Sequence, residues 1–334
     1  MGKKHSTKKM FWTGIIVSML LMMLGMTAMA EEEVNYGENW DLAYIEIDGV
    51  TYGCDFDFKD WENRKPGSVS IQHISTDKKE VKIPETITYN GYEFWVETVT
   101  ENYFVVEGGE VEYEGFPARD TIETLILPKR LRYLNIYGDK WKNLKKIVAP
   151  ASMRNLLVGG SIKAKIELEP GCKRFQVKGN GIYKNKGRML TAVFGTKKNF
   201  KIPKGTVTIA RSAFRNNDVV EKVTMPNTVK FIEGTDVLEE AKDFGVFYGC
   251  KNLKTVVCSS NLEQIGKNAF VNCRSLSKVY INNKKKAPKI DKSAFAKTKK
   301  GIRFYVKNET VKKELDKQLR LTKAKGYRIL VSGR

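Results

Sequence analysis

A recurring spacing of apolar residues constrains this chain more than any other feature. The stretch QIGKNAFVNCRSLSKVYI, residues 264–281, puts Ile265, Ala269, Phe270, Cys273, Leu276, Val279 and Ile281 at its apolar positions. Its last three form a triad, apolar-x-x-apolar-x-apolar. The triad recurs as Ile122, Leu125, Leu127; as Leu144, Ile147, Ala149; as Val220, Val223, Met225; and as Leu253, Val256, Cys258. Phe116, Phe214, Phe247 and Phe270 stand six residues ahead of most of these triads. Further apolar pairs follow, such as Val229 and Ile232, or Leu262 and Ile265. The steps from Phe247 to Phe270 and from Phe270 to Phe295 are 23 and 25 residues. A period of that size makes a solenoid, because one short strand per repeat cannot bury its own face and must stack on its neighbours. The in-out-in alternation at the end of each triad is strand period.

The spacing therefore predicts a mostly β, α/β solenoid of short parallel strands, a right-handed superhelix with a β-rich N-terminal region and a small helical C-terminal cap. Residues 31–110 read as that β-rich region with the first degenerate repeats. Asp48-Gly49 and Asn90-Gly91 are hairpin turns between alternating segments. Residues 111–303 read as the repeat array, with two excursions. One, at 157–200, is hairpin-like around Gly179-Asn180-Gly181. The other is the insertion at 233–243. Gly108-Gly109 and Gly159-Gly160 read as turns. Residues 304–334 read as a strand-helix-strand cap: Asn308 is placed to N-cap a helix, and Val311, Leu315 and Leu319 recur every four residues along it.

Lys3, Lys4, Lys8 and Lys9 precede an apolar run from Phe11 to Met26, and Ala28-Met29-Ala30 follows. Residues 1–30 thus read as an export signal. An uncleaved anchor is the other reading of the run; the small-x-small site favours cleavage, after which no transmembrane segment is expected. The net charge is +21, and +17 without the four signal lysines. Residues 31–114 hold 21 acidic and 6 basic side chains, whereas residues 251–334 hold 23 basic and 5 acidic. A solenoid turns that gradient into a spatial one, with a basic end that attracts polyanions. Export argues against nucleic acid as the natural ligand. Cys54, Cys172, Cys250, Cys258 and Cys273 read as buried apolar side chains. Cys250 and Cys273 occupy equivalent repeat positions, near enough for a bridge to be sterically allowed.

The motif LEQIGKNAFVNCRSLSKVYI resembles the repeat of BspA-like leucine-rich-repeat surface proteins of bacteria. Residues 175–214 resemble the longer strand-turn-strand variant of that family. IEIDGVTY and VKIPETITYNGYEFWVETV resemble its N-terminal opening. Asn217 stands where the family commonly has Cys, and Phe247 lacks a preceding Ala. The resemblance implies an exported or surface-displayed binding protein, adhesin-like, secreted or on the surface of a bacterium, with a protein or glycan partner on a host or neighbouring cell. It implies no cofactor.

Nothing in the sequence points to catalysis. His73 is the one histidine after the signal, which removes multi-histidine metal sites and most histidine-based mechanisms. Asp55, Asp57 and Asp60 lack the ligand pattern of a calcium loop. Binding is the better reading. The outward residues of the triads fall into two columns: Thr124, Lys146, Lys222, Thr255, Lys278 and Arg303, then Ile126, Val148, Thr224, Val257, Tyr280 and Tyr305. Lys222, Thr255, Lys278, Tyr280, Arg303 and Tyr305 are the candidate ligand-binding residues, suited by stacking and charge to an anionic or sugar-bearing ligand. Lys284, Lys285, Lys286, Lys299 and Lys300 are candidate polyanion contacts. They support an alternative function, a cell-envelope protein tethered to anionic wall polymer by its basic C-terminal region.

Overall fold

A computed structural model describes residues 42–60, 65–101, 104–105, 111–112, 116–138, 140–159, 162–234 and 245–332. The signal segment, Gly108-Gly109, Gly160 and nearly all of the 233–243 insertion lie outside the described residues. The rest is a β-solenoid whose turns each contribute one strand to each of two sheets. In the C-terminal half one sheet runs Asn199–Lys201, Lys222–Thr224, Thr255–Val257, Lys278–Ile281, Arg303–Val306 and Arg328–Val331, parallel throughout. The opposing sheet ends with Thr208–Ile209, Phe231–Ile232, Gln264–Ile265 and Lys289–Ile290, also parallel. The N-terminal half is built likewise, with Glu80–Lys82, Thr124–Ile126, Lys146–Ala149 and Lys165–Leu168 forming one parallel sheet.

The Ala-Phe turns connect the two sheets and carry a ladder of their own. The Phe214 amide donates to the Val246 carbonyl at 2.9 Å, Phe247 to Ala269 at 2.7 Å and Phe270 to Ala294 at 2.8 Å. Inside, the rings of Phe214, Phe247, Phe270 and Phe295 stack with centroids 4.7, 4.9 and 5.1 Å apart, the last two pairs within 5° of parallel. Phe200 closes one end of the stack edge-on at 5.3 Å, and Phe304 the other at 5.3 Å. Two residues beyond each phenylalanine the backbone is left-handed, at Asn216, Gly249, Asn272 and Lys297. Asn and Gly suit that conformation. The Ile265-Gly266 step has a different cause: a Cβ on Gly266 would collide with the backbone of Gly234 one turn away.

Both predicted hairpins are present. Ala43–Ile47 pairs antiparallel with Val50–Asp60 across Asp48-Gly49, and Thr86–Tyr89 with Tyr92–Thr100 across Asn90-Gly91. All four turn residues have positive φ, as this hairpin type requires. The 157–200 excursion is shorter than its sequence suggests. Asn155–Gly159 and Lys165–Leu168 still pair in parallel with the preceding turn, and only Gln176–Lys178, Gly181–Lys184 and Met189–Val193 run antiparallel. The turn at 162–168 has lost its phenylalanine and its x-x spacing, which hides it from a periodicity argument. The hairpin stands between two cores: Ile182, Ala192 and Phe194 pack on the N-terminal one, Tyr183, Leu190 and Val193 on the C-terminal one.

The helix α1 (Glu309–Leu319) covers the C-terminal core. The Asn308 side chain accepts from the Val311 amide at 2.9 Å, and Val311, Leu315 and Leu319 are buried. The helix also finishes the second sheet. Lys289–Ile290 is that sheet's last strand, and its outward N–H groups need acceptors. Gln318 Oε1 accepts from the Ile290 amide and Glu314 Oε2 from the Ala287 amide, both at 2.8 Å. These two side chains are one helical turn apart, so they lie on one face of the helix.

Two predictions follow from this packing. Phe270→Ala removes a ring stacked on both faces and is predicted to lower unfolding free energy by about 3–5 kcal/mol; a denaturant titration unchanged by it would refute the stacked core. Gln318→Ala leaves the Ile290 amide unpaired and is predicted to cost about 1–3 kcal/mol, with Gln318→Glu, which keeps an acceptor, costing less in the same titration.

Candidate binding face

Within each strand of the 199–331 sheet the middle residue points inward: Val223, Val256, Val279, Phe304. The flanking residues point outward. Pairing aligns Lys222, Thr255, Lys278 and Arg303 in one column and Thr224, Val257, Tyr280 and Tyr305 in the other. The six sequence-predicted ligand-binding residues therefore share one face. Two residues that sequence reasoning left out join them, because Arg328 pairs with Arg303 and Leu330 with Tyr305. The alternation in Arg328-Ile329-Leu330-Val331, identical in kind to Arg303-Phe304-Tyr305-Val306, was the available signal. Asn199 and Lys201 extend the columns at the other end.

Electrostatics differ along the face. One residue before each strand runs a ladder in which a glutamate bridges two lysines. Glu221 meets Lys198 at 3.1 Å and Lys254 at 2.8 Å, and in the N-terminal half Glu123 meets Lys79 at 3.2 Å and also pairs with Lys145. Glu167 holds Lys146 at 2.9 Å and Lys165 at 2.7 Å, which neutralises the Lys146 position of the first column. The ladder stops after Lys254, since Ser277 and Ile302 take the next two positions. Among the described residues, Lys278, Arg303 and Arg328 make no ion pair. Beside them the Tyr280 and Tyr305 rings stack at 4.6 Å and 13°, both half-buried. The face thus ends in three adjacent uncompensated cations flanked by an aromatic platform.

The polyanion candidates do not form one patch. Lys284, Lys285 and Lys286 line a groove with Lys230, Asn261 and Asn283, whereas Lys300 lines another with Lys297, Lys323 and Lys325. Lys299 is exposed. All five cysteines are free thiols. Cys250 Sγ donates to the Phe214 carbonyl at 2.9 Å and Cys273 Sγ to that of Phe247 at 3.0 Å, so each thiol is held by the backbone of the preceding turn and the two form no disulfide. Burial pushes the Cys258 thiol up to about 12, and burial beside Cys250 raises that of Cys273 as well. Such thiols are poor nucleophiles at neutral pH. His73 packs edge-on against Tyr44 at 5.1 Å, and Asp55 accepts from Gln72 at 3.1 Å. Among the described residues no group of three or more His, Cys, Asp or Glu side chains is placed to hold a metal, and no helix is long and apolar enough to cross a membrane.

The repeating strand, phenylalanine turn and strand define a leucine-rich-repeat solenoid. Residues 194–237 and 242–320 match the BspA type leucine rich repeat region in six copies, so the resemblance drawn from those residues is borne out. No curated protein matches. Similar solved structures include a leucine-rich repeat protein from Eubacterium ventriosum ATCC 27560, 16% identical, with 79% of this chain and 78% of that chain covered and a TM-score of 0.40. The pneumococcal vaccine antigen PcpA is 15% identical, with coverage of 87% and 98% and a TM-score of 0.28. A leucine rich cell surface protein from Faecalibacterium prausnitzii A2-165 is 12% identical, with coverage of 88% and 96% and a TM-score of 0.26.

The glutamate ladder carries a pH dependence. The two lysines at each site hold the carboxyls of Glu123, Glu221 and Glu167 below their ordinary value of 4.5, Glu167 down to about 2. A carboxylate depressed in the fold stabilises it above its unfolded pKa, and the contribution is lost as pH falls through the folded one. Melting temperature is predicted to fall between pH 5 and pH 2, and Glu167→Gln to show a shallower fall over that window.

Proposed function

We propose that this chain is an exported, non-catalytic binding protein whose outward strand face recognises a protein or glycan on a host or neighbouring cell. The observation that carries the reading is the run of Lys278, Arg303 and Arg328, unpaired and in register beside the stacked Tyr280 and Tyr305. A solvated face would gain nothing from leaving three neighbouring cations uncompensated, since like charges one strand apart repel. Tyrosine platforms and guanidinium groups are favoured binding anchors. Leucine-rich-repeat families use such extended sheet surfaces for binding. Export is supported by the basic, apolar and small-x-small order of residues 1–30.

A second reading has its own support. Lys284, Lys285, Lys286, Lys299 and Lys300 are exposed and make no ion pair among the described residues. They suit retention on anionic wall polymer.

One experiment separates the two. Purified protein is incubated with host epithelial cells and with co-resident bacteria, and bound protein is measured by flow cytometry at moderate and at high salt. Tyr280→Ser with Tyr305→Ser and Arg303→Gln is predicted to lower binding at least about tenfold, the worth of one anchor contact, measured at a temperature where circular dichroism shows the variant folded. Unchanged binding by that variant would overturn the strand-face reading. Release by salt, together with loss of binding on neutralising the five lysines, would assign retention to the wall.

A further inference from the structure

We infer that the groove lined by Lys230, Glu263, Asn283, Lys284, Lys285 and Lys286 is a second binding site, separate from the strand face, for a sugar or polyol unit that carries a phosphate.

Asn283 gives the first reason. Its side chain is only 7% exposed. Its Nδ2 donates to the Leu262 carbonyl at 2.8 Å, which fixes the orientation of the amide. Its Oδ1 is then buried with no partner. A buried acceptor without a donor is uncommon in a folded protein and marks a place where something else donates. An acceptor calls for an O–H or N–H group; in inorganic phosphate any O–H sits on the anion itself, whereas a polyol phosphate carries hydroxyls set apart from it.

The three consecutive lysines are the second reason. Lys284, Lys285 and Lys286 are exposed and unpaired among the described residues, whereas Lys230 in the same groove is engaged with Glu263 Oε1 at 2.8 Å. The groove therefore has net positive charge on one wall and a neutralised pair on the other. Lysine ammonium groups bind phosphate as point charges. A ligand whose hydroxyl is set apart from its anionic group can meet the acceptor and the lysines together.

The loop that carries these residues is held in place. The Lys284 carbonyl accepts from Asn308 Nδ2 at 2.7 Å, and the Ala287 amide donates to Glu314 Oε2 at 2.8 Å. Both partners belong to the helical cap, so little ordering remains to be done on binding. Asn283 lines the groove, and three of the other lining side chains are exposed lysines with soft rotamers.

Titration calorimetry on the whole chain tests the inference, with glycerol 3-phosphate, inorganic phosphate and glycerol as probes. Glycerol 3-phosphate is expected to bind about tenfold more tightly than inorganic phosphate, the effect of one hydrogen bond to a buried acceptor, and to weaken as salt rises. Glycerol alone is expected to show no heat. Lys284→Gln with Lys285→Gln and Lys286→Gln, all exposed and therefore tolerated by the fold, is expected to abolish binding. Asn283→Ala, which removes the acceptor, is expected to weaken glycerol 3-phosphate about tenfold and inorganic phosphate less. The strand-face variant is expected to bind as the parent does, so this site and the strand face fail separately. Equal affinity for the two phosphates, or unchanged binding by the triple lysine variant, would overturn the inference. A glycerol phosphate oligomer that binds more tightly than the monomer assigns the site to a polymer; equal affinity assigns it to a free polyol phosphate; either result supports the site.

Discussion

The stack of Phe214, Phe247, Phe270 and Phe295 fixes the pitch on which the C-terminal half depends. Its ring separations of 4.7–5.1 Å match the roughly 4.8 Å between hydrogen-bonded strands. Ring packing and backbone ladder are therefore commensurate, and neither strains the other as turns are added. The edge-on rings of Phe200 and Phe304 end the stack without leaving a bare ring face. Among the described residues the N-terminal half has no such run. There Phe56 stacks on Tyr89 at 4.4 Å and Phe116 meets Trp141 edge-on at 5.9 Å, and the turns are correspondingly less regular in sequence.

A solenoid built on a fixed pitch has two open ends, and this one meets the C-terminal end with a helix. The apolar stripe of α1 covers the core while Gln318 satisfies the Ile290 amide of the last strand in one sheet and Glu314 the Ala287 amide just before it. The other sheet continues past the helix through Arg328–Val331. The same cap ties down the lysine loop through Asn308. Stability of the end and geometry of the groove are thus set by one element.

Charge is handled differently at the two ends. In the first turns of each half, glutamates bridge lysines on adjacent turns, so the basic residues there are offset locally. Beyond Lys254 the bridging position is filled by Ser277 and Ile302, and the cations of the next three strands stand alone. Part of the excess positive charge of residues 251–334 thereby lies on one sheet face, where two tyrosines already form a platform, and part lines two separate grooves.

The sequence by itself determined the repeat, its register and its caps. The triads, the phenylalanines ahead of them, the Asp48-Gly49 and Asn90-Gly91 turns and the Asn308 helix start all rest on local periodicity and backbone preference, which a linear string carries. It also determined the outward columns, since strand alternation needs no three-dimensional information once the register is known. It understated the array where a turn lost its phenylalanine, at 162–168, and it hid Arg328 and Leu330 inside a segment that reads as a cap. Only the tertiary structure decided which charges are offset, because Lys198, Glu221 and Lys254 meet across turns more than twenty residues apart in sequence. Only it could set Asn283 at a groove with an unmet acceptor. Those properties belong to neighbours brought together by stacking, and no spacing along the chain encodes them.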